Sequence, residues 1–220
     1  DTAVEQPVPA TPGTQPAPGS RVQPGQGQSR NWSGYEATGG SFTAVSGTWT
    51  VPQTDGSSVG ADASWVGIGG VQSRDLIQAG TETDASGNGR VHYQAWIEML
   101  PQASHPVPLT VNPGDSVSVS IAEQGTDQWL ITLKNNTTGK NYQATEQYTS
   151  SNSSAEWVEE APSGGRRVLP LDNFGKVDFS AGVATKDGQS QTISQLSGHS
   201  ITMIDSSGQP VATPTSLGTD

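Results

Sequence analysis

From Val91 to Leu100 apolar and polar side chains alternate, the period of a strand with one buried face. The alternation puts Val91, Tyr93, Ala95, Ile97 and Met99 on one face and His92, Gln94, Trp96 and Glu98 on the other. The first face reads as core. The second gathers an indole, an amide and a carboxylate, a combination that suits the floor of a binding site better than plain solvation. A shorter run, Asp75 to Thr83, precedes it across a turn rich in Gly, Asn and Asp, and places Gln78 between Leu76 and Gly80 on one face. Taken alone, that glutamine is an ordinary solvent-facing strand residue.

The same period recurs along the chain. Residues 31–53 read as two strands around a Gly-Gly turn, with Pro52 ending the second. Pro106 to Val111 follows the central stretch. Residues 116–123 alternate strictly, Val117, Val119 and Ile121 inward, and pair with 127–135 across a loop containing Gly125. Further strands are expected at 141–148, 153–162, 175–185, 191–196 and 199–205, with a last one after the turn at 206–210. No helical period of useful length interrupts them. Strands every 8–14 residues with turn signals between predict an all-β fold, an antiparallel β-sandwich of two large sheets of the concanavalin or jelly-roll kind. One domain, 31–220, is the economical reading, because all six Trp fall between 32 and 157 and no repeat is visible. Residues 1–30 carry six of the 15 prolines among Gly, Gln, Thr and Ala, and read as a disordered segment or linker.

Composition narrows the chemistry. Ten Lys and Arg against 21 Asp and Glu leave a formal charge of −11, the wrong sign for a nucleic-acid partner. Few basic groups also mean little positive charge to accumulate once carboxylates protonate, which favours tolerance of acid. No run approaches the roughly 20 apolar residues of a membrane-spanning helix, and the chain lacks a charged-then-apolar start, so an export signal is expected to be absent or already removed. With no cysteine, disulfides, thiolate nucleophiles and Cys-based metal sites are excluded. The three His, at 92, 105 and 199, lack metal-ligand spacing, so no metal or cofactor is expected. The GIGG at 67–70 stands between strands rather than before a helix, so it reads as a bend and not a phosphate loop.

Carboxylates remain. Glu98 beside Trp96, and Glu156 before Trp157, are two acidic groups next to aromatic rings. They are compatible with a glycoside hydrolase that uses both carboxyls, with a non-catalytic sandwich binding carbohydrate or peptide on its Trp-rich face, or with ordinary surface glutamates.

The motifs NWSGY, FTAVSGTWTVP, SWVGIGG, LIQAGTE, YQAWIEM and SAEWVEE, in that order from Asn31 onward, resemble those of the glutamic peptidases, the eqolisins. The resemblance spans about Asn31 to Asp205. It implies a β-sandwich, metal-independent endopeptidase activity in acid, protein or peptide substrates, and a secreted monomer. By motif match the catalytic pair is Gln78 in LIQAG and Glu156, the first glutamate of AEWVEE. Trp65, Gln94, Trp96 and Glu98 match residues that line the family's cleft. Gln94, Leu100 and Gly69 depart from the Asp, Tyr and acidic residue of fungal members, and the absent cysteines suit a bacterial branch. The chemistry then expected is a Glu156 carboxylate, ionised at rest with a reference pKa about 4.3, acting as base and then acid. Gln78 would stabilise the oxyanion.

Overall fold

Alternation in the sequence becomes seventeen strands in the computed structural model, which describes residues 27–164 and 167–218. In chain order they are β1 (Gly27–Ser29), β2 (Trp32–Thr38), β3 (Phe42–Thr50), β4 (Val59–Gly69), β5 (Leu76–Ser86) and β6 (Val91–Met99). Then come β7 (His105–Pro106), β8 (Ser116–Gly125), β9 (Gln128–Asn135), β10 (Asn141–Gln147) and β11 (Ser154–Glu160). The chain continues through β12 (Ser163–Gly164), β13 (Arg167–Val168), β14 (Phe179–Lys186), β15 (Gln189–Thr192), β16 (His199–Ile204) and β17 (Pro210–Ala212). The linker reading of residues 1–26, and the middle of the Gly-Gly-Arg-Arg loop, lie outside the described residues.

Two sheets face one another. A nine-stranded sheet has the order β1-β16-β2-β11-β4-β5-β6-β7, with β17 on β16; a six-stranded sheet has the order β10-β9-β8-β3-β14-β15. Pairing is antiparallel except for β1 on β16. The expected sandwich is therefore present, and its core is the inward face of each alternating run. Val117, Val119 and Ile121 of β8 and Trp129, Ile131 and Leu133 of β9 meet Ile77, Ala79, Ala95 and Ile97 of β5 and β6. Indole N–H groups tie the layers together: Trp49 donates to Thr81 Oγ1 at 3.0 Å and Trp157 to the Ser46 carbonyl at 2.8 Å. Each gives a buried polar atom its partner.

Several expected boundaries shift. Among the described residues the first strand, β1, lies four residues before the expected domain start, parallel to β16 with Gly27 opposite Ile201. Of the 106–111 segment only Pro106 falls in a strand, although the Val107 N–H still reaches the Ala95 carbonyl at 3.0 Å; Pro106 and Pro108 have no N–H to offer a ladder, and Val107, Leu109 and Val111 are buried. The strand expected at 175–185 starts at Phe179. The one expected at 191–196 ends at Thr192: Leu196 N–H bonds back to the Thr192 carbonyl at 3.0 Å, and a turn delivers Ile193 and Leu196 to the core at a spacing of three.

A second apolar cluster forms on the opposite, outer face of the large sheet. Trp32, Ala63, Trp65, Leu76, Trp96, Leu100, Val158 and Ile201 pack there. Gln78, Trp65, Trp96, Glu98 and Glu156, singled out in the sequence, share this face.

Candidate active site

Residues directly opposite one another in a ladder share a face. The registers of the large sheet therefore define rows of side chains running across its strands. One row reads Glu98 (β6), Gln78 (β5), Gly67 (β4), Glu156 (β11), Glu36 (β2) and His199 (β16). The next, two residues along each strand, is Trp96, Gly80, Trp65, Val158, Gly34 and Ile201. A third is Gln94, Glu82, Ala63, Glu160 and Trp32. All six residues singled out in the sequence fall in these three rows.

Gln78 and Glu156 stand two strands apart, so their backbones are about 10 Å from each other. Between them is Gly67, which has no side chain to fill the interval. A Cβ there would lie 2.8 Å from Trp65 Cζ3, 3.0 Å from Leu76 Cδ1 and 3.1 Å from Glu156 Oε1. Glutamine and glutamate thus flank a residue with no side chain of its own, and Trp65, Leu76 and Glu156 close over it.

The glutamine is held. Gln78 Nε2 donates to Glu98 Oε1 at 2.8 Å, which engages one of its two amide hydrogens. Gln78 Oε1 has no hydrogen-bond partner, and neither do the two oxygens of Glu156. Gln78, Glu98 and Glu156 are all fully buried. One amide hydrogen, one amide oxygen and one carboxyl group therefore remain for a substrate and a water.

Loops close one end of the row. Tyr148 accepts a hydrogen bond from Leu76 N–H at 2.8 Å and donates to the Leu100 carbonyl at 2.7 Å. Asp75 Oδ2 accepts from Ser151 N–H at 2.8 Å and from Ser151 Oγ at 2.9 Å. Gln94 is partly buried two rows away, and its Nε2 donates to the Ala95 and Val107 carbonyls at 2.9 and 3.3 Å. Its amide braces the β6 edge.

Burial governs the electrostatics. It pushes Glu156 well above the ordinary carboxyl range; the nearby Ser154 hydroxyl opposes this, and the charges of Glu36 and Asp75 add to it. Glu98 is raised to about 9 by burial and by Glu160, against the pull of the Ser104 N–H and Gln78. Glu36 rises to about 7 through burial alone. The expectation that Glu156 rests ionised in acid is therefore corrected: with its oxygens desolvated and unpartnered, the neutral carboxyl is the favoured form.

Sequence reasoning missed Gly67, Glu36, Glu82 and Glu160. Glu160 had a local signal, since it shares strand parity with Glu156. For the others the row depends on registers between distant segments.

The comparisons with known proteins point the same way. Residues 30–220 match the model of the Peptidase A4 family. Scytalidopepsin B of Scytalidium lignicola is 33% identical over 175 residues, covering 74% of this chain and 66% of that one. Aspergillopepsin-2 of Aspergillus niger is 26% identical over 186 residues, covering 73% and 66%. The chain thus spans a little under two thirds of the length of these relatives. A crystal structure of scytalido-glutamic peptidase with a transition state analog inhibitor superposes with a TM-score of 0.77 at 27% identity, over 86% of this chain and 95% of that one. A match that runs through the whole sandwich, at this level of identity, makes the chain a member of the peptidase A4 family.

Proposed function

We propose that this protein is an acid-acting, metal-independent glutamic endopeptidase in which Glu156 moves protons and Gln78 stabilises the oxyanion. The observation that carries this is the row Glu98–Gln78–Gly67–Glu156, in which a glycine alone separates an oriented amide from an unpartnered carboxyl.

Peptide hydrolysis needs a positioned water, charge stabilisation at the carbonyl oxygen and a proton for the leaving nitrogen. Gln78 Oε1 is the free acceptor that orients the water, and its second amide hydrogen bonds to the carbonyl oxygen, stabilising the negative charge that builds there until the proton arrives. Neutral Glu156 gives its proton to the carbonyl oxygen as the water oxygen bonds to the carbonyl carbon. The carboxylate so formed takes the proton shed by the water, passes it to the leaving nitrogen as the C–N bond breaks, and recovers a proton from the protonated acid product. Glu98, itself neutral in acid, keeps the Gln78 amide turned correctly through its carbonyl oxygen.

Trp65 and Trp96 form the apolar wall along which an extended substrate lies. Substrates are proteins and peptides, and the chain acts outside the cell as a monomer. A glycosidase using Glu98 and Glu156 is disfavoured. The two stand three strands apart, about 14 Å between backbones, with Gln78 between them, and such pairs work with carboxyls about 5–9.5 Å apart.

The test is cleavage of a denatured protein from pH 2 to 7 by the parent, Gln78→Ala and Glu156→Ala, with EDTA and an aspartic-protease inhibitor present. Cleavage peaking in acid, surviving both additives and falling by about 10²–10³ or more in each variant is expected. Full activity in Gln78→Ala, or none in the parent across the range, overturns the proposal.

A further inference from the structure

Glu160 takes no part in the steps above, yet it is buried to 1% exposure on the same face as Glu156 and one row beyond Trp65. A carboxyl so placed is costly unless it is bonded, and here it is. Its Oε2 accepts the Trp65 indole N–H at 2.7 Å, and its Oε1 accepts Asn31 Nδ2 at 3.4 Å. Trp32, next to Asn31, meets the Trp65 ring edge-on, with centroids 5.0 Å apart and planes at 81°. One side chain of β11 thereby ties β4 to the entry of β2.

The indole is a rigid plane. Once its N–H is fixed at Glu160 and its face is set by Trp32, the position of the far edge follows. That edge includes Cζ3, the atom closest to where a Cβ on Gly67 would lie. The ring that lies over Gly67, between Gln78 and Glu156, is consequently anchored at Glu160.

We infer that Glu160 is a positioning residue: through the Trp65 indole it sets the shape of the space in which the scissile peptide sits. This rests on the peptidase reading above. Glu160 is covered by the rings it holds and does not touch the substrate. Burial raises its pKa to about 7, with the Trp65, Trp32 and Asn31 side chains opposing the rise, so in acid it is a neutral carboxyl with one carbonyl acceptor. A glutamine keeps that acceptor and the shape. A leucine keeps only the bulk.

The experiment compares the parent with Glu160→Gln, Glu160→Leu, Trp65→Phe and Gln78→Ala, measuring kcat and KM on a peptide in acid. The indole ¹H–¹⁵N signals of each variant are recorded in parallel, the Trp65 signal being the one that Trp65→Phe loses. Glu160→Gln is expected to stay within about threefold of the parent, with the Trp65 signal in place. Glu160→Leu is expected to lose about 10- to 100-fold in kcat with little change in KM, and its Trp65 signal to move upfield as the hydrogen bond is lost. Should Glu160→Leu not fold, Trp65→Phe carries the test, because it removes the anchored N–H and is expected to lower kcat in the same way.

Parent-like kcat in a folded Glu160→Leu or Trp65→Phe overturns the inference, as does a loss of kcat in Glu160→Leu with the Trp65 signal unmoved. If the parent cleaves, Gln78→Ala does not, and the Glu160 variants behave as the parent, only this inference fails. A parent that does not cleave overturns both.

Discussion

At the scale of the residue, the most exacting position is one with no side chain. Gly67 lies between the two groups that do the proposed chemistry, and a methyl group there would press on Trp65 at 2.8 Å, Leu76 at 3.0 Å and Glu156 at 3.1 Å. The Leu76 methyl can give by a few tenths of an ångström, whereas the Trp65 ring is held by Glu160 and Trp32 and yields only at a cost. The third is with the carboxyl proposed to transfer a proton. Gly67→Ala therefore ought to leave a folded protein, less stable by about 1–3 kcal/mol from overpacking. Its kcat ought to fall about 10²-fold, since a displacement near 1 Å at a reacting group costs about that much. Steady-state kinetics beside a thermal melt separate the two effects. A kcat within twofold of the parent would mean that the space over Gly67 is not where the peptide reacts.

At the scale of the element, β11 joins the two halves of the argument, and it shows what was legible in the sequence. All seven of its residues are buried. Glu156, Val158 and Glu160 face the outer side, while Ala155 and Trp157 enter the sandwich core. Trp157 spans the layers by donating to the Ser46 carbonyl. Trp157→Phe leaves that carbonyl without its indole donor and opens a small cavity, so a loss of about 1–3 kcal/mol in urea unfolding is expected. Activity measured well below the melt should be unchanged, because the ring faces away from the catalytic row; a tenfold fall in kcat would contradict that separation of faces. Strand parity is local, so the two faces of β6, and the placement of Gln78 and Glu98, could be read from alternation. The insertion of β11 between β2 and β4 could not be read that way. It pairs segments about 90 to 120 residues apart, and it is the register of that pairing that sets Glu156 across Gly67 from Gln78. Resemblance of motifs supplied the pair; alternation did not. Gly27–Ser29 is a strand through its pairing with the distant β16, and Gly-Gln-Ser has no alternation that would announce it. Ile193 and Leu196 reach the core from a turn, and a search for alternation reads them as strand.

At the scale of the whole molecule, buried carboxyls are spread over both faces of the large sheet, and together they set a working range of pH. Glu36, Glu82, Glu98, Glu156 and Glu160 lie on the outer face, and Asp62, Glu159 and Asp172 form a cluster near the other. Burial is the largest cause of a raised pKa in every one: to about 7 for Glu36 and Glu160, about 8 for Asp172 and about 9 for Glu98. For Glu82 and Glu159, as for Glu156, the shift is well above the ordinary value. In the unfolded chain these groups titrate near 4. The folded state therefore binds protons more tightly than the unfolded state, and the stability this provides is complete below about pH 4. It is lost as pH rises through the folded values, by about 1.4 kcal/mol per pH unit for each proton by which the two states differ. The formal charge of −11 at pH 7 adds repulsion in the same direction, whereas only ten Lys and Arg oppose folding in acid. The midpoint of urea unfolding should accordingly be highest in acid and fall steeply between about pH 5 and 8. Asp172→Asn isolates part of the effect, because it removes one ionisation from the Asp62–Glu159–Asp172 cluster, in which burial and the Asp62 charge raise Asp172 and the Asp172 charge helps to raise Glu159. Its midpoint should match or fall slightly below the parent at pH 4 and exceed it at pH 8. A midpoint that is flat from pH 4 to 8, or an Asp172→Asn variant with no gain at pH 8, would show that these carboxyls ionise without cost and that the acid range is set at Glu156 alone. If the midpoint falls as expected, unfolding becomes one origin of any loss of cleavage toward neutral pH, separable from the proton transfer proposed for Glu156. The stabilised variant distinguishes them, since it should extend the life of the fold at pH 7 without altering the Glu156 carboxyl.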